Sequence, residues 1–416
     1  MKKLRTVIVT NGAYPVPAVR GGGAESLVES LLQQNEIFQS LDLTLVSIAD
    51  AEAVKASAGY PHTKFVFLEP SGITKAADRI MHYTADDLLH RKDHLAFKTP
   101  LERLDYIRRA AGYLASQSFD RVILENQMAL LWTMKYRNNA ERYKDRYYLH
   151  IHNHPARYAG NEQTAAKARK IICVSEFIGR SFAHNIGISY TADKFSVLKN
   201  TVDETLFDPS KVSPEDIHAL RQKYGLQGKR LILFVGRLIE GKGVRELLQA
   251  YRNTETPDTV LMIIGSLNYD SDESSPYEEE LKKLRHEIGE EKVILTGYVP
   301  HAQLPVYYAS ADLCVFPSTC EEAAGLTVLE AMFMNRPLIT TTMGGIPEYT
   351  NEDCAVLLQN DDTLVGALQQ SIDRLLNDSS ACERQKTAQK QLVSTMRLSD
   401  YYQGFVGILK EGEENA

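Results

Sequence analysis

Short runs of β-branched and aliphatic residues alternate with amphipathic helical stretches along the whole chain, and few folds accommodate that alternation. Runs such as Leu231–Val235 and Val260–Ile264 are apolar at every position. Strands of that kind are buried on both faces and belong to parallel sheets covered by helices. Strands are expected at Thr6–Thr10, Leu43–Ile48, Phe65–Leu68, Arg121–Leu124, Tyr147–Ile151 and Lys170–Val174 in the first half. In the second half they are expected at Leu231–Val235, Val260–Ile264, Lys292–Leu295, Leu313–Phe316 and Pro337–Thr340. Helices fit between them, at Ala24–Phe38, Leu101–Leu114, Val244–Tyr251, Glu278–Ile288, Leu326–Met334 and Asp362–Leu376. The expected fold class is α/β, with doubly wound parallel sheets.

A chain of 416 residues exceeds what one hydrophobic core organises, so two domains are expected. The boundary falls near Leu198–Ser210, where Lys199-Asn200-Thr201-Val202-Asp203 follows a strand and leads into polar turn residues. A second α/β unit then begins at Lys229. Two such domains in series place a cleft at the carboxyl ends of their strands, where open α/β sheets bind ligands. The apolar runs are too short to span a bilayer, and Thr6–Thr10 is too brief for a signal-peptide core. Five cysteines, at 173, 314, 320, 354 and 382, form no Cys-x-x-Cys pair, which points to reduced thiols and a cytoplasmic location.

The net charge of −7 hides an asymmetry. Residues 1–198 carry 26 Lys and Arg against 20 Asp and Glu, whereas the remainder carries 21 against 34. Different partners for the two halves, or ordinary surface drift, both accommodate this.

Four loops at strand ends carry chemistry. Gly21-Gly22-Gly23-Ala24-Glu25 follows the first strand and opens a helix. Its glycines allow close backbone approach, and the helix start offers free N–H groups to an anion; a simple tight turn is the alternative. Gly236-Arg237 and Lys242-Gly243 put two cations five residues apart around a Gly-containing turn, a pattern suited to a diphosphate or to a solvated surface. Glu322 lies in a polar turn before a helix starting near Gly325, where the amides of residues 325–327 are free donors. Glu330 sits among Leu326, Val328, Leu329 and Met332, so its carboxylate needs a partner: a sugar hydroxyl pair or a cation. Met343-Gly344-Gly345-Ile346-Pro347-Glu348 is one more Gly-rich strand-to-helix turn. In the first half, His150-Ile151-His152-Asn153-His154 ends a strand. Alternation turns His150 and His152 to one face with no carboxylate or cysteine beside them in sequence, so no metal site is expected.

Taken together, these elements resemble the retaining, nucleotide-sugar-dependent glycosyltransferases of family 4, which have the GT-B fold of two facing Rossmann-like domains. The matching segments run through nearly the whole chain: 21–25, His152, Val-Leu-Lys-Asn-Thr-Val-Asp at 197–203, Gly-Arg-x4-Lys-Gly at 236–243, Gly-Tyr-Val at 297–299, Glu-x7-Glu at 322–330 and Gly-Gly-Ile-Pro-Glu at 344–348. The resemblance implies an acceptor-side domain at 1–198, a donor domain at 199–391, and a terminal segment, 392–416, whose helix crosses back to the first domain. The tail Leu398–Leu409 with Tyr401 and Tyr402 fits that helix but lacks the tryptophan often found there.

The resemblance also implies roles. Arg237 and Lys242 would bind the donor diphosphate, Glu322 would contact the transferred sugar, and His152 would sit close to the sugar and the acceptor. Glu330 would accept hydrogen bonds from the ribose, and Leu326 and Thr327, after Gly325, would offer backbone amides. Gly236 would let the chain approach the donor, Gly21, Gly22 and Gly23 would close over it, and Tyr298 and Val299 would hold the base edge. The expected co-substrate is a nucleotide sugar, a UDP-sugar first, with no cofactor and no metal. The expected acceptor is a glycan or lipid-linked glycan in surface polysaccharide or glycoconjugate assembly, and no nucleic acid is expected as a partner. Ala324 stands where many members have an aromatic residue, which bears on the shape of the sugar pocket. Arg103, Arg108, Arg109, Lys135, Arg137, Arg142, Lys144 and Arg146 are candidates to meet anionic lipid at the inner face of the plasma membrane.

Three other readings compete. Asp270-Ser-Asp272 offers a pair for a metal-dependent glycosyltransferase, but in a polar, acidic stretch. A dehydrogenase or epimerase would need Gly-x-Gly-x-x-Gly, and the Tyr-x-x-x-Lys pairs at 60/64 and 190/194 lie outside the expected helices. A non-catalytic glycan- or partner-binding subunit would have no need of Arg237, Lys242, Glu322 and Glu330 together.

Overall fold

The computed structural model describes residues 3–83, 100–155, 157–266 and 275–411. The chain forms two units, one of Met1–Leu198 with Tyr401–Ala416 and the other of Lys199–Asp400. Residues 392–400, which include the first turn of the terminal helix, thus group with the second unit.

The first unit holds β1 (Leu4–Val9), β2 (Leu41–Ile48), β3 (Thr63–Leu68), β4 (Arg121–Glu125), β5 (Tyr147–Ile151), β6 (Lys170–Cys173) and β7 (Phe195–Val197). They pair in parallel in the order β3-β2-β1-β4-β5-β6-β7. The second unit holds β8 (Arg230–Val235), β9 (Thr259–Ile264), β10 (Val293–Gly297), β11 (Leu313–Phe316), β12 (Leu338–Thr341) and β13 (Val356–Leu358). Their order, again parallel, is β10-β9-β8-β11-β12-β13. Both sheets are Rossmann-like, and the α/β doubly wound fold read from the alternation is present in both halves. The three-residue edge strands β7 and β13 escaped the pattern because so short a run carries no period.

Five helices position or support the chemistry at the strand ends: α1 (Gly23–Phe38), α2 (Val244–Arg252), α3 (Leu304–Ser310), α4 (Leu326–Phe333) and α5 (Leu398–Lys410). In each sheet the strand order reverses once, between β1 and β4 and between β8 and β11. Successive crossovers leave in opposite directions there and open a crevice at the strands' carboxyl ends. Those ends carry Thr10 and Asn11, Glu125 and Asn126 in the first unit, and Gly236 and Arg237, Pro317 and Ser318 in the second.

The strands flanking each reversal are buried on both faces: Val7, Ile8, Val9, Ile123, Leu231, Ile232 and Leu233 have no exposed surface. From Tyr401 on, α5 completes the first unit's core. Tyr402, Phe405 and Leu409 pack with Ile8, Leu31, Leu41 and Ile172. The Tyr402 hydroxyl donates to Asn35 Oδ1 at 2.5 Å, and its ring stacks on Phe38 at 5.7 Å. Arg121 Nε donates to the Leu409 carbonyl at 2.7 Å, capping the helix end.

Among the described residues no helix is long and apolar enough to cross a membrane. Three of the basic residues expected to meet lipid have protein partners. Arg109 pairs with Asp105 at 3.0 Å, Lys135 donates to the Gly160 carbonyl at 2.7 Å, and Arg146 donates to the Phe119 carbonyl at 3.2 Å. Arg103 is half-buried, with burial lowering its pKa, whereas Arg108, Arg109, Lys135, Arg137, Arg142 and Lys144 are exposed. Asp270-Ser-Asp272 lies outside the described residues.

Phe405 has no exposed surface and fills the seam between α5 and the first sheet. Phe405→Ala is expected to cost about 3–5 kcal/mol and to lower the unfolding midpoint of the first unit by roughly 6–20 °C. Calorimetry checks this, and a midpoint within a degree of the parent would show that α5 contributes nothing to that core.

Candidate active site

In the second unit the chemistry collects at the β8/β11 reversal. Beyond Val235 the chain turns at Gly236, whose N–H donates to the Ile264 carbonyl at 3.0 Å. Arg237 follows, exposed, its guanidinium without a hydrogen-bond or ion-pair partner among the described residues. A single turn at Glu240–Lys242 then leads to Gly243, with φ +69°, and into α2. A side chain at Gly243 would collide with the Pro317 carbonyl, so only glycine lets the two loops meet. The Gly241 carbonyl accepts from Thr319 N at 3.0 Å and from Cys320 N at 3.1 Å, stitching the loop after β8 to the loop after β11.

That stitch joins two residues which the sequence separates by 80 positions. Lys242 Nζ lies 2.5 Å from Glu322 Oε1, and the Ser318 hydroxyl donates to the same oxygen at 2.6 Å. The turn after β12 holds Glu322 from the other side. Gly345 N donates to the Glu322 carbonyl at 2.7 Å, and Gly344, with φ +62°, leaves no room for a side chain against the Glu322 backbone. Cys320 reports the local field: burial and Glu322 raise its thiol pKa while Lys242 and Arg237 pull it down. All three charges therefore act on one point.

Next, Gly325 at φ +72° starts α4 with no side-chain cap, so the first amides, at Leu326 and Thr327, are left without a capping side chain. These amides and the helix dipole favour an anion. Glu330, one turn on, is 5% exposed. Its Oε2 accepts from the Tyr308 hydroxyl at 2.7 Å and its Oε1 from His301 Nε2 at 3.0 Å, so its partners come from α3 and the turn before it rather than from an arginine. Tyr298 and Val299 follow β10; Tyr298 is half-exposed and Val299 buried.

The first unit's reversal has a different character. Gly21 and Gly22 hold φ of +76° and +107° before Gly23 opens α1. The Glu25 carboxylate folds back over Gly22, in the space a side chain there would need, and accepts from Asn11 Nδ2 at 2.8 Å. Burial, with a contribution from the Glu125 charge, raises the Glu25 pKa. An acidic group therefore already faces this helix start.

His152 does have a carboxylate beside it, which corrects the expectation drawn from strand alternation alone. Register pairs Glu125 on β4 with His150 on β5, so the carboxylate arrives from the neighbouring strand. Glu125 Oε1 lies 3.1 Å from His150 Nδ1, and Oε2 lies 3.0 Å from His152 Nε2. A carboxylate only accepts, so Nε2 of His152 carries the proton. Asn126, at φ +56°, accepts from His152 N at 2.9 Å through its side chain. Glu125, His150 and His152 are all buried and, among the described residues, form the one group of donors close enough for a metal ion. Each of those facing donors is already hydrogen-bonded, however. The other ring nitrogens, His150 Nε2 and His152 Nδ1, are buried and lack the supporting acceptor that ligating histidines keep. The arrangement is a carboxylate clamped by two imidazoles.

Burial alone would raise the Glu125 pKa, but the charge and hydrogen bond of His150 and those of His152 hold it down at about 2. Burial and the His150 charge lower His152 to about 4 in spite of its bond to Glu125. His152 is therefore a neutral imidazole at neutral pH, with an unpaired acceptor at Nδ1.

Sequence reasoning missed Ser318, His301, Tyr308, Glu125 and Asn126. Only Glu330 gave a signal for its partners, as a carboxylate in an apolar run; the others became visible through strand register and loop contact.

Residues 216–392 match the family model described as Glycosyl transferases group 1. The second unit carries a group 1 glycosyl transferase domain. Over the longer chain, Spore coat protein SA of Bacillus subtilis (strain 168) is 24% identical across 92% of each protein. Lipopolysaccharide 1,2-N-acetylglucosaminetransferase of Salmonella typhimurium is 26% identical across 73% of this chain and 74% of its own. Anabaena Alr3699/HepE, solved in complex with UDP-glucose, superposes with a TM-score of 0.71 at 17% identity, covering 98% of this chain and 99% of its own. The fold is thus GT-B, with two Rossmann-like parallel-sheet domains, and the group 1 domain contains the Lys242–Glu322 pair, α4 and Glu330.

The first unit's clamp predicts acid lability. Below pH 6.5 an unfolded chain protonates this histidine, whereas the folded His152 resists until about pH 4, so stability falls as pH drops through that window. Glu125 continues the loss, since its unfolded carboxyl protonates near 4.5 and its folded one near 2. Histidine NMR is expected to show the His152 ring neutral from pH 8 down to about 5. A ring that titrates near 6.5 would contradict the clamp.

Proposed function

We propose that this protein is a retaining glycosyltransferase of the family 4 type, moving a hexosyl unit from a UDP-sugar to a hydroxyl of a growing glycan. The observation that carries the proposal is the convergence at the β8/β11 reversal of Arg237, the Lys242–Glu322–Ser318 group and the uncapped start of α4. Parallel-sheet packing alone requires none of these. The relatives support the reading, since one by its name acts on lipopolysaccharide and one was solved with UDP-glucose bound.

The chemistry follows from charge. Breaking the bond between the anomeric carbon and the diphosphate puts positive charge on the sugar and negative charge on the leaving group. Arg237 and Lys242 bind that leaving group, and the amides of Leu326 and Thr327 add a dipole of the same sense. In many enzymes such preorganised electrostatics contribute more to the rate than any other effect. Donor phosphate must then compete with Glu322 for Lys242, which turns the Glu322 carboxylate toward the sugar. Retention proceeds by front-face attack: the acceptor oxygen bonds to the anomeric carbon on the side the diphosphate leaves, and its proton passes to a departing diphosphate oxygen. Glu330 reads the ribose, Tyr298 and Val299 hold the base, and Gly236 gives the backbone its close approach. His152 and the turn Gly21, Gly22 and Gly23 serve the first unit's share of the reaction, where a neutral His152 Nδ1 accepts a sugar or acceptor hydroxyl. The acceptor is a lipid-linked glycan for a surface polysaccharide, met at the cytoplasmic face of the membrane. No metal or other cofactor is required, because two protein cations take the diphosphate charge.

Donor screening by mass, with membrane extract as acceptor source, tests the proposal; failure to bind or hydrolyse any nucleotide sugar would sink it. Arg237→Ala and Lys242→Ala are each expected to lower kcat/KM by about 10²–10³-fold while the far-ultraviolet circular dichroism stays unchanged. Activity is expected to survive EDTA, and strict dependence on manganese would return attention to Asp270 and Asp272.

A further inference from the structure

Glu330 is assigned above to the donor ribose, yet both of its oxygens already have protein donors. The two donors differ in kind. Tyr308 has no exposed surface and its phenol, pushed far up by burial and by Glu330, is a permanent neutral donor to Oε2. His301 donates to Oε1 from the other side, and its side chain is 55% exposed. One bond is thus sealed inside the unit, and the other lies on the side open to a ligand.

The His301 ring is held in place by the buried ring of Phe207, 5.1 Å away. The titratable and charged groups that face it are Glu330 from α4, Tyr308 from α3 and Asp203 from the segment opening the unit. Among the described residues no cation acts on the ring. A protonated imidazole makes a charge-assisted bond to Oε1, whereas a neutral one makes an ordinary hydrogen bond of roughly half the strength.

We infer that His301 is a positioning residue for Glu330: protonated, it holds Oε1 against the vicinal hydroxyls of a nucleotide ribose, and neutral, it yields that oxygen to them. The inference rests on the donor reading proposed above and adds a pH dependence to it. Burial works against the protonated ring, but the hydrogen bond and charge of Glu330 and the charge of Asp203 outweigh it, so the ring's pKa is raised above 6.5. Raising the pH through that pKa removes the charge and weakens the His301–Glu330 bond. Donor binding therefore tightens and, below that pH, releases a proton.

Calorimetric titration of the intact protein with UDP-glucose and with GDP-mannose, at about pH 6.0, 7.0 and 8.5, tests this. Both probes carry the same ribose, and their diphosphate diesters hold a constant charge over the range. The dissociation constant of whichever probe binds is expected to fall by about 3–10-fold from about pH 6.0 to 8.5, with proton release at the acid end. His301→Gln keeps a donor to Oε1 but cannot titrate, so its affinity is expected to be flat with pH; a merely structural histidine would change the affinity without removing the slope. For wild-type protein, 2′,3′-dideoxy-UDP is expected to bind with no His301-dependent slope, measured as the difference between wild type and His301→Gln. A flat wild-type profile with a bound donor, a slope that survives His301→Gln, or an equal His301-dependent slope for the dideoxy nucleotide would each overturn the inference while leaving the donor reading intact. Absence of binding by any nucleotide sugar at any pH would remove the donor reading and this inference with it.

Discussion

The reversal of strand order at β8 and β11 is the constraint on which the rest of the candidate site depends. A parallel sheet must send its connections over one face or the other, and where the direction changes two loops part at the carboxyl ends of adjacent strands. The second unit then closes that gap with backbone rather than with side chains. Gly243 lies against the Pro317 carbonyl, Gly241 against the Cys320 side chain, and Gly344 against the Glu322 backbone. Each contact demands a residue without a Cβ. The glycines therefore set the separation of the loops, and the separation of the loops brings Lys242 to Glu322.

The same place in the two sheets is given opposite electrostatic character. In the second unit a lysine meets a carboxylate beside an exposed arginine and an uncapped helix start, within a half that is acidic overall. Local geometry outweighs net charge there, because solution ions screen distant surface charges and act much less on partly buried ones. In the first unit, within the basic half, the reversal is lined by Glu25, Glu125 and two histidines, all buried. His152 is kept neutral and in one tautomer by a carboxylate that the neighbouring strand supplies. A neutral acceptor suits a hydroxyl, and paired cations suit a phosphate.

Much of this could be read along the chain, for definable reasons. Strands buried on both faces are continuous apolar runs, so β1, β8, β9 and β11 are visible at sight, whereas β7 and β13 are too short to show a period. Glycine clusters after strands marked the loops, since few residues tolerate their backbone conformations. What could not be read were the partners. Ser318 lies four positions from Glu322, but in a turn where helix spacing does not apply, and Tyr308 and His301 for Glu330 and Glu125 for His152 lie 22 to 29 positions away, at no spacing that a helix or strand repeat would flag. The expectation that His150 and His152 had no acid beside them failed for that reason: alternation describes one strand, and the acid stood on the next.

Sequence by itself determined that the chain alternates strand and helix, that it divides near residue 198, and that cations, carboxylates and glycines sit at strand ends. Periodicity and the steric demands of glycine are local properties, and local properties survive in one dimension. Tertiary structure alone decided which of those groups meet. Register between β4 and β5 chose the partner of His152, backbone contact between two loops chose the partner of Lys242, and the approach of Tyr308 and His301 to α4 left one oxygen of Glu330 to a buried tyrosine and the other to an exposed histidine. Such pairings depend on distances across the sheet and between loops, which no spacing along the chain encodes.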